Sequence, residues 1–259
     1  MREIVPGKSV VTIASLEAQL SQIGIQQSDN VMIHASLRKL GPVENRGNGL
    51  IQALINTVSP SGTLLAYADF EPTNEIPFFD PTRSPARPDY GVFTELLRNW
   101  PNAARSKNPG ASMVAVGALA ESICTAHPLN YGYGPGSPLA KLVENDGKVL
   151  LIGSDLDQVT LLHYAEHLAN IPNKRIVRNQ VKALQDSGEV IPVVIEEFDT
   201  SKGVVSSMPE RYFERVLFSF IDTGNATTGK IGNADSYQFR ANDLVEFAVR
   251  RMESDFGER

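Results

Sequence analysis

Helix-like and strand-like apolar patterns alternate along the first two thirds of the chain, and that alternation restricts the fold more than any other feature. Leu16, Leu20 and Ile23 recur at helical spacing with Gly24 as a stop, after which VMIHA (31–35) reads as a buried strand. Leu50, Ile51, Leu54, Ile55 and Val58 predict a second amphipathic helix, ended by SPSG and followed by the strand TLLAYA (63–68). A helix built on Val92, Phe93, Leu96, Leu97 and Trp100 precedes the strand SMVAVG (112–117), and ALAESICTA predicts a short helix. SPLAKLVENDG then places Pro138 in a first helical turn and Gly147 past its end, leading into the buried strand KVLLIG (148–153). Strands this apolar need cover on both faces. No linker, repeat or shift in composition divides the 259 residues, of which 42% are hydrophobic. The expectation is one three-layer α/β/α domain over 1–259, with a mixed central sheet.

Two segments depart from the alternation. Residues 69–90 are rich in proline and have no periodicity, and so long a loop in a compact domain points to a lid or a pocket wall. IVRNQVKAL and EVIPVVIEEF around Asp186-Ser187-Gly188 predict a hairpin over 177–198. Helices are expected at 209–221 and 242–252.

Several function classes lose their support. The single cysteine, Cys124, excludes an internal disulfide and a cysteine-based zinc site, which favours a reducing compartment, with the cytoplasm as the expectation. MREIVPGKSVVTIASLEAQL carries no signal-peptide core, and no window has the apolar length to span a bilayer. A net charge of −6 argues against nucleic acid and favours cationic ligands. G-x-x-x-x-G-K-[ST] and G-x-G-x-x-G are both missing. Ser36, Ser112, Ser137 and Ser154 each lack a flanking glycine of G-x-S-x-G, so a serine hydrolase is the least supported reading. The four histidines form no H-E-x-x-H, and no metal is expected.

The segment TLLHYAEHLANIPNKR (160–175) remains. On a helical wheel over 160–170, Leu161, Tyr164, Ala165 and Leu168 share one face; Thr160, His163, Glu166, His167 and Asn170 share the other. That polar face is either solvated or carries chemistry. T-x-L-H-Y-A-E followed by I-P-N-K-R resembles the signature segment of the aminoglycoside 3-N-acetyltransferases. The resemblance continues in order through HASLRKLGPV, SPSGTLLAYADF, FDPTRSPARPDYG, RSKNPGASMVAVGALAE, GSPLAKLVENDGKVLLIG and EEFD, covering most of the chain. It implies the family's own three-layer fold, distinct from the common N-acetyltransferase superfamily fold, whose acetyl-CoA turn Q/R-x-x-G-x-G/A is missing here. It also implies transfer of acetyl from acetyl-CoA to the 3-amino group of a 2-deoxystreptamine antibiotic, and hence resistance.

Such chemistry needs a base, because only an unprotonated amine attacks a thioester. His163 is the residue the resemblance matches to that role, with Glu166 on the same helix face as its partner. His34, at the end of a predicted strand, is the other candidate; His127 and His167 read as surface or structural. Glu197 and Asp199 match a family E-x-D and, two apart on a predicted strand, share one face toward a polycation. Asp69 and, more weakly, Glu95 are further acidic candidates. For the phosphates and pantetheine of acetyl-CoA, the turn SLRKLG offers Ser36, Leu37, Arg38 and Lys39, and RSKNPGAS offers Arg105, Lys107 and Ser112. Asn108 stands where the family pattern commonly has histidine. Another cationic amine as acceptor, or a non-catalytic CoA- or polyamine-binding protein, are the alternatives.

Overall fold

The computed structural model describes residues 10–199 and 203–258; the first nine residues of the N-terminal stretch considered above lie outside these. The strands are β1 (Asn30–Ala35), β2 (Thr63–Tyr67), β3 (Ala104–Arg105), β4 (Met113–Gly117), β5 (Lys148–Ile152), β6 (Ile176–Leu184), β7 (Val190–Phe198), β8 (Thr227–Ile231) and β9 (Ala234–Arg240). Among the described residues, seven form one sheet in the order β3-β4-β2-β1-β5-β9-β8, while β6 and β7 pair separately. β1 runs parallel to β2 and β5, and every other pairing is antiparallel, so the expected mixed sheet is present.

Helices α1 (Ile13–Gln22), α3 (Gly47–Val58) and α4 (Val92–Arg98) cover one face; α5 (Ala120–Thr125), α6 (Pro138–Glu144), α7 (Leu161–Leu168), α8 (Tyr212–Asp222) and α9 (Ala241–Phe256) cover the other. The two-residue period of the central strands divides the core. Val31 and Ile33 of β1 join Leu16, Leu20, Leu50 and Leu54, whereas Met32 between them joins Leu161, Leu162, Leu244 and Ala248. Near-continuous apolar strands are the consequence of this two-sided cover.

The predicted hairpin is β6–β7, outside the main sheet. A small third cluster of Phe70, Phe79, Ala183, Val193 and Ile195 packs it against the proline-rich loop. β8 and β9 were not evident in the sequence, because most of β8 is exposed and offers no apolar run. The turn Gly232-Asn233 between them is a two-residue hairpin signal that could have found them.

The wheel drawn for 160–170 also needs correction. Leu168 is 44% exposed, whereas Leu162, Thr160 and Glu166 are buried. A two-faced wheel assumes one wet side, but α7 is covered by the core and α9 on one flank and by the rim of a cleft on another.

Candidate active site

The carboxyl ends of the three parallel strands open on one edge of the sheet, and a cleft of about 570 Å³ lies there. His34, Ser36, Arg38 and Lys39 reach it from the end of β1 and the short helix α2 (Leu37–Leu40). Tyr67 and Asp69 come from the end of β2; Gly153 and Ser154 come from the end of β5. His163 of α7, Phe213 of α8, Tyr90, Gly110, Tyr133 and Glu197 close the remaining sides.

His163 is fixed on three sides. Its Nδ1 lies 2.7 Å from Oε2 of Glu166, one helical turn on, whose side chain is only 4% exposed. A carboxylate only accepts, so Nδ1 carries the hydrogen, and in the neutral ring the lone pair is the one on Nε2. The ring lies between Tyr133, 4.8 Å away at 30°, and Phe213, 4.9 Å away at 63°. The arrangement holds a basic nitrogen beside the cleft. It also accounts for a buried glutamate, since Glu166 is partnered by the imidazole.

His34 differs. The residue as a whole is half-buried, but its Nε2 is sealed without a hydrogen-bond partner. Burial lowers its pKa to about 4, so the ring stays neutral at ordinary pH.

Asp69 and Glu197 line the same cleft. Asp69 is almost fully buried, and desolvation pushes its pKa up to about 8 against the Phe70 amide that donates to Oδ1 at 2.7 Å; the charge of Glu197 raises it further. Glu197 is also shifted upward by desolvation, and its Oε1 is buried with no partner. Tyrosines line the floor: the hydroxyls of Tyr67 and Tyr133 are 2.7 Å apart, and Tyr67 packs edge-on against Tyr90 at 4.7 Å. Burial raises all three phenols, keeping them neutral hydrogen-bonding groups. No role was assigned to Tyr67, Tyr90, Tyr133, Ser154, Phe213 or Gly110 from sequence, although YADF, PDYG and GYG carried a signal in polar-flanked aromatics next to predicted strand and loop ends.

The structure thus gathers His163, Glu166, His34, Ser36, Arg38, Lys39, Asp69 and Glu197 at or beside the cleft. It places others elsewhere. Leu37 lines a small apolar depression with Leu40 and Pro42. Lys107 pairs with Asp186 at the hairpin turn, 2.6 Å away. Ser112 is fully buried, donating to the Ala68 carbonyl at 2.6 Å and accepting from Arg105 Nε at 3.1 Å. Arg105 also donates to the carbonyls of Ser84 and Ala68, tying the proline-rich loop and the segment after β2 to β3. Asp199 directly follows β7 and is not among the residues that line the cleft; Arg175 is its ion partner at 3.7 Å. Glu95 is held by Arg98 at 2.6 Å. His127 is buried between Ser106 Oγ and the Gly132 carbonyl, a structural role, and His167 bonds the Tyr131 hydroxyl. Among the described residues no group of three His, Cys, Asp or Glu side chains converges as metal ligands would.

The geometry has known counterparts. A sequence profile described as Aminoglycoside 3-N-acetyltransferase matches residues 32–253. Aminoglycoside N(3)-acetyltransferase III of Pseudomonas aeruginosa is 39% identical over 263 residues, covering 95% of each chain. A solved structure described as AAC-IIIb binary with CoASH superposes with a TM-score of 0.92 at 43% identity, covering 97% of this chain and 99% of the other. One described as AAC-VIa bound to sisomicin superposes with a TM-score of 0.90 at 32% identity, covering 96% of this chain and all of the other. The three-layer architecture is therefore that of these enzymes and not of the common N-acetyltransferase superfamily. With its profile spanning the core strands and the cleft, and its relatives matched end to end, this chain belongs to the aminoglycoside 3-N-acetyltransferase family.

Proposed function

We propose that this chain transfers the acetyl group of acetyl-CoA to the 3-amino group of a 2-deoxystreptamine aminoglycoside, with His163 as general base. The observation that carries the reading is the His163–Glu166 pair beside a cleft that is lined by cations and carboxylates together. Arg38 and Lys39, with Ser36, suit the phosphates and pantetheine of acetyl-CoA. Asp69 and Glu197 suit ammonium groups of the acceptor. The relatives named above bind CoASH and sisomicin, one ligand of each chemistry.

In this reading Nε2 of His163 takes a proton from the acceptor amine as its nitrogen attacks the thioester carbon. The N–C bond forms, the tetrahedral intermediate collapses, the C–S bond breaks, and the imidazolium returns the proton to the departing thiolate. Glu166 keeps Nδ1–H pointed away from the substrate and stabilises the transient cation. His34 is the weaker base, because a ring whose pKa is lowered to about 4 accepts a proton from an amine poorly. With its Nε2 sealed, the ring serves as a neutral part of the cleft wall. Asp199, bound to Arg175, supports the strand that carries Glu197 and not the acceptor directly.

The chain is read as one domain acting in the cytoplasm, where acetyl-CoA is supplied. No helix among the described residues is long and apolar enough to cross a membrane. Acetylation removes an ammonium from the antibiotic, which would confer resistance.

The test is free-thiol release from acetyl-CoA on adding gentamicin, kanamycin, apramycin or neomycin. Release with at least one is the expected result. Release only with simple polyamines would transfer the activity to another amine, and release with none would make the protein a binder.

A further inference from the structure

Glu197 reaches the cleft from β7, yet little in the protein bonds its carboxylate. Oε1 has no partner, and Oε2 meets Asn179 Nδ2 only at 3.4 Å. Shape holds it instead. The backbone of Gly110 passes so close that an ideal Cβ there would lie 2.2 Å from Glu197 Oε1 and 2.8 Å from Ile195 Cδ1. Gly110 does not adopt the left-handed conformation, so conformational freedom does not explain the glycine. The missing side chain does.

The turn carrying Gly110 is itself fixed. Asn108 is fully buried; its Oδ1 accepts from the amides of Gly110 and Ala111, both at 2.9 Å, and its Nδ2 donates to the Pro128 carbonyl at 2.7 Å. The Gly110 amide is thereby engaged and does not bond Glu197. Asn108, the residue standing in place of the family histidine, thus serves the backbone of the pocket wall.

We propose that Gly110, held by Asn108, is a positioning residue that sets where the Glu197 carboxylate stands and so which acceptors the cleft takes. Oε1 is buried against that space, while Glu197 as a residue lines the cleft. The proposal rests on the reading that Glu197 binds the acceptor. Any side chain at 110 displaces the carboxylate, altering the match to the ammonium pattern of each antibiotic.

The test is a double-mutant cycle of Gly110→Ala and Glu197→Gln, with KM for several 2-deoxystreptamine aminoglycosides, KM for acetyl-CoA and kcat. The atoms an alanine would meet are far ends of two side chains, which can move, so the fold should persist. Gly110→Ala is expected to raise acceptor KM about tenfold with a changed order of acceptors, leaving KM for acetyl-CoA unchanged. In the Glu197→Gln background it should add nothing. Additive effects, or an unchanged acceptor KM in Gly110→Ala, would overturn the role of Gly110 while leaving Glu197 in place. An unchanged acceptor KM in Glu197→Gln alone would remove the acceptor reading of Glu197 and the proposal with it. If the alanine variant does not fold, Asn108→Ala, which frees the turn without adding atoms, should give the same acceptor-selective rise, and an unchanged acceptor KM there would overturn the proposal.

Discussion

Replacing His163 by alanine is expected to lower kcat by ~10²–10⁴, the usual contribution of a positioned general base, for every acceptor alike. Acetyl-CoA affinity should persist, because the side chains proposed to hold its phosphates, Arg38 and Lys39, lie on the turn after β1. The variant will be less stable than the parent. Its partner Glu166 is left as a buried carboxyl without the imidazole, at a cost of about 1–3 kcal/mol. Circular dichroism and a thermal melt therefore accompany the kinetics, separating lost catalysis from lost fold. His34→Ala is the control. If it abolished turnover with both substrates still bound, and His163→Ala did not, the base would have to be sought at the end of β1.

Asp69→Asn is expected to weaken aminoglycoside binding by about 1.5–3 kcal/mol, the scale of a charge-assisted hydrogen bond. It should also change the protons exchanged on binding. In the free protein, burial keeps the Asp69 pKa near 8, so the carboxyl holds its proton at neutral pH. An ammonium beside it favours the carboxylate and lowers that pKa in the complex. Below about pH 8 binding must therefore expel the proton, and affinity should strengthen as pH rises toward 8 and then stop gaining from this source. Calorimetry in two buffers of different ionisation enthalpy counts the protons released. The wild type should release more than the Asn variant; equal counts would mean that Asp69 is not ionised by the antibiotic.

How far the sequence could be read depends on what each element borrows from its neighbours. β1, β2, β4 and β5 are apolar on both faces because helices cover both, and that pattern is local enough to see. β8 takes its place by pairing with β9, with little burial of its own, and so left no trace in hydropathy. The His163–Glu166 pair was legible because both partners sit on one helical turn. Asp69 was a weak candidate, since its raised pKa arises from a pocket assembled by Tyr67, Tyr90, Tyr133 and the distant hairpin. Lys107 and Ser112 looked like phosphate ligands, because nothing in RSKNPGAS reveals that Asp186 and the Ala68 carbonyl would claim them. For Asp199, which directly follows β7, nothing in EEFD reveals the Arg175 partner on the neighbouring strand's approach.

The central claim is that this cleft presents the 3-amino group of a 2-deoxystreptamine ring to the thioester. Where the acetyl group lands is thus the most direct measurement. Purified protein, acetyl-CoA and an accepted aminoglycoside should yield a product with one added acetyl by mass spectrometry, and two-dimensional NMR should place it on the 3-amino nitrogen. Acetyl on any other amine, or no acetylated product while acetyl-CoA is hydrolysed at the acceptor-free rate, would contradict the account.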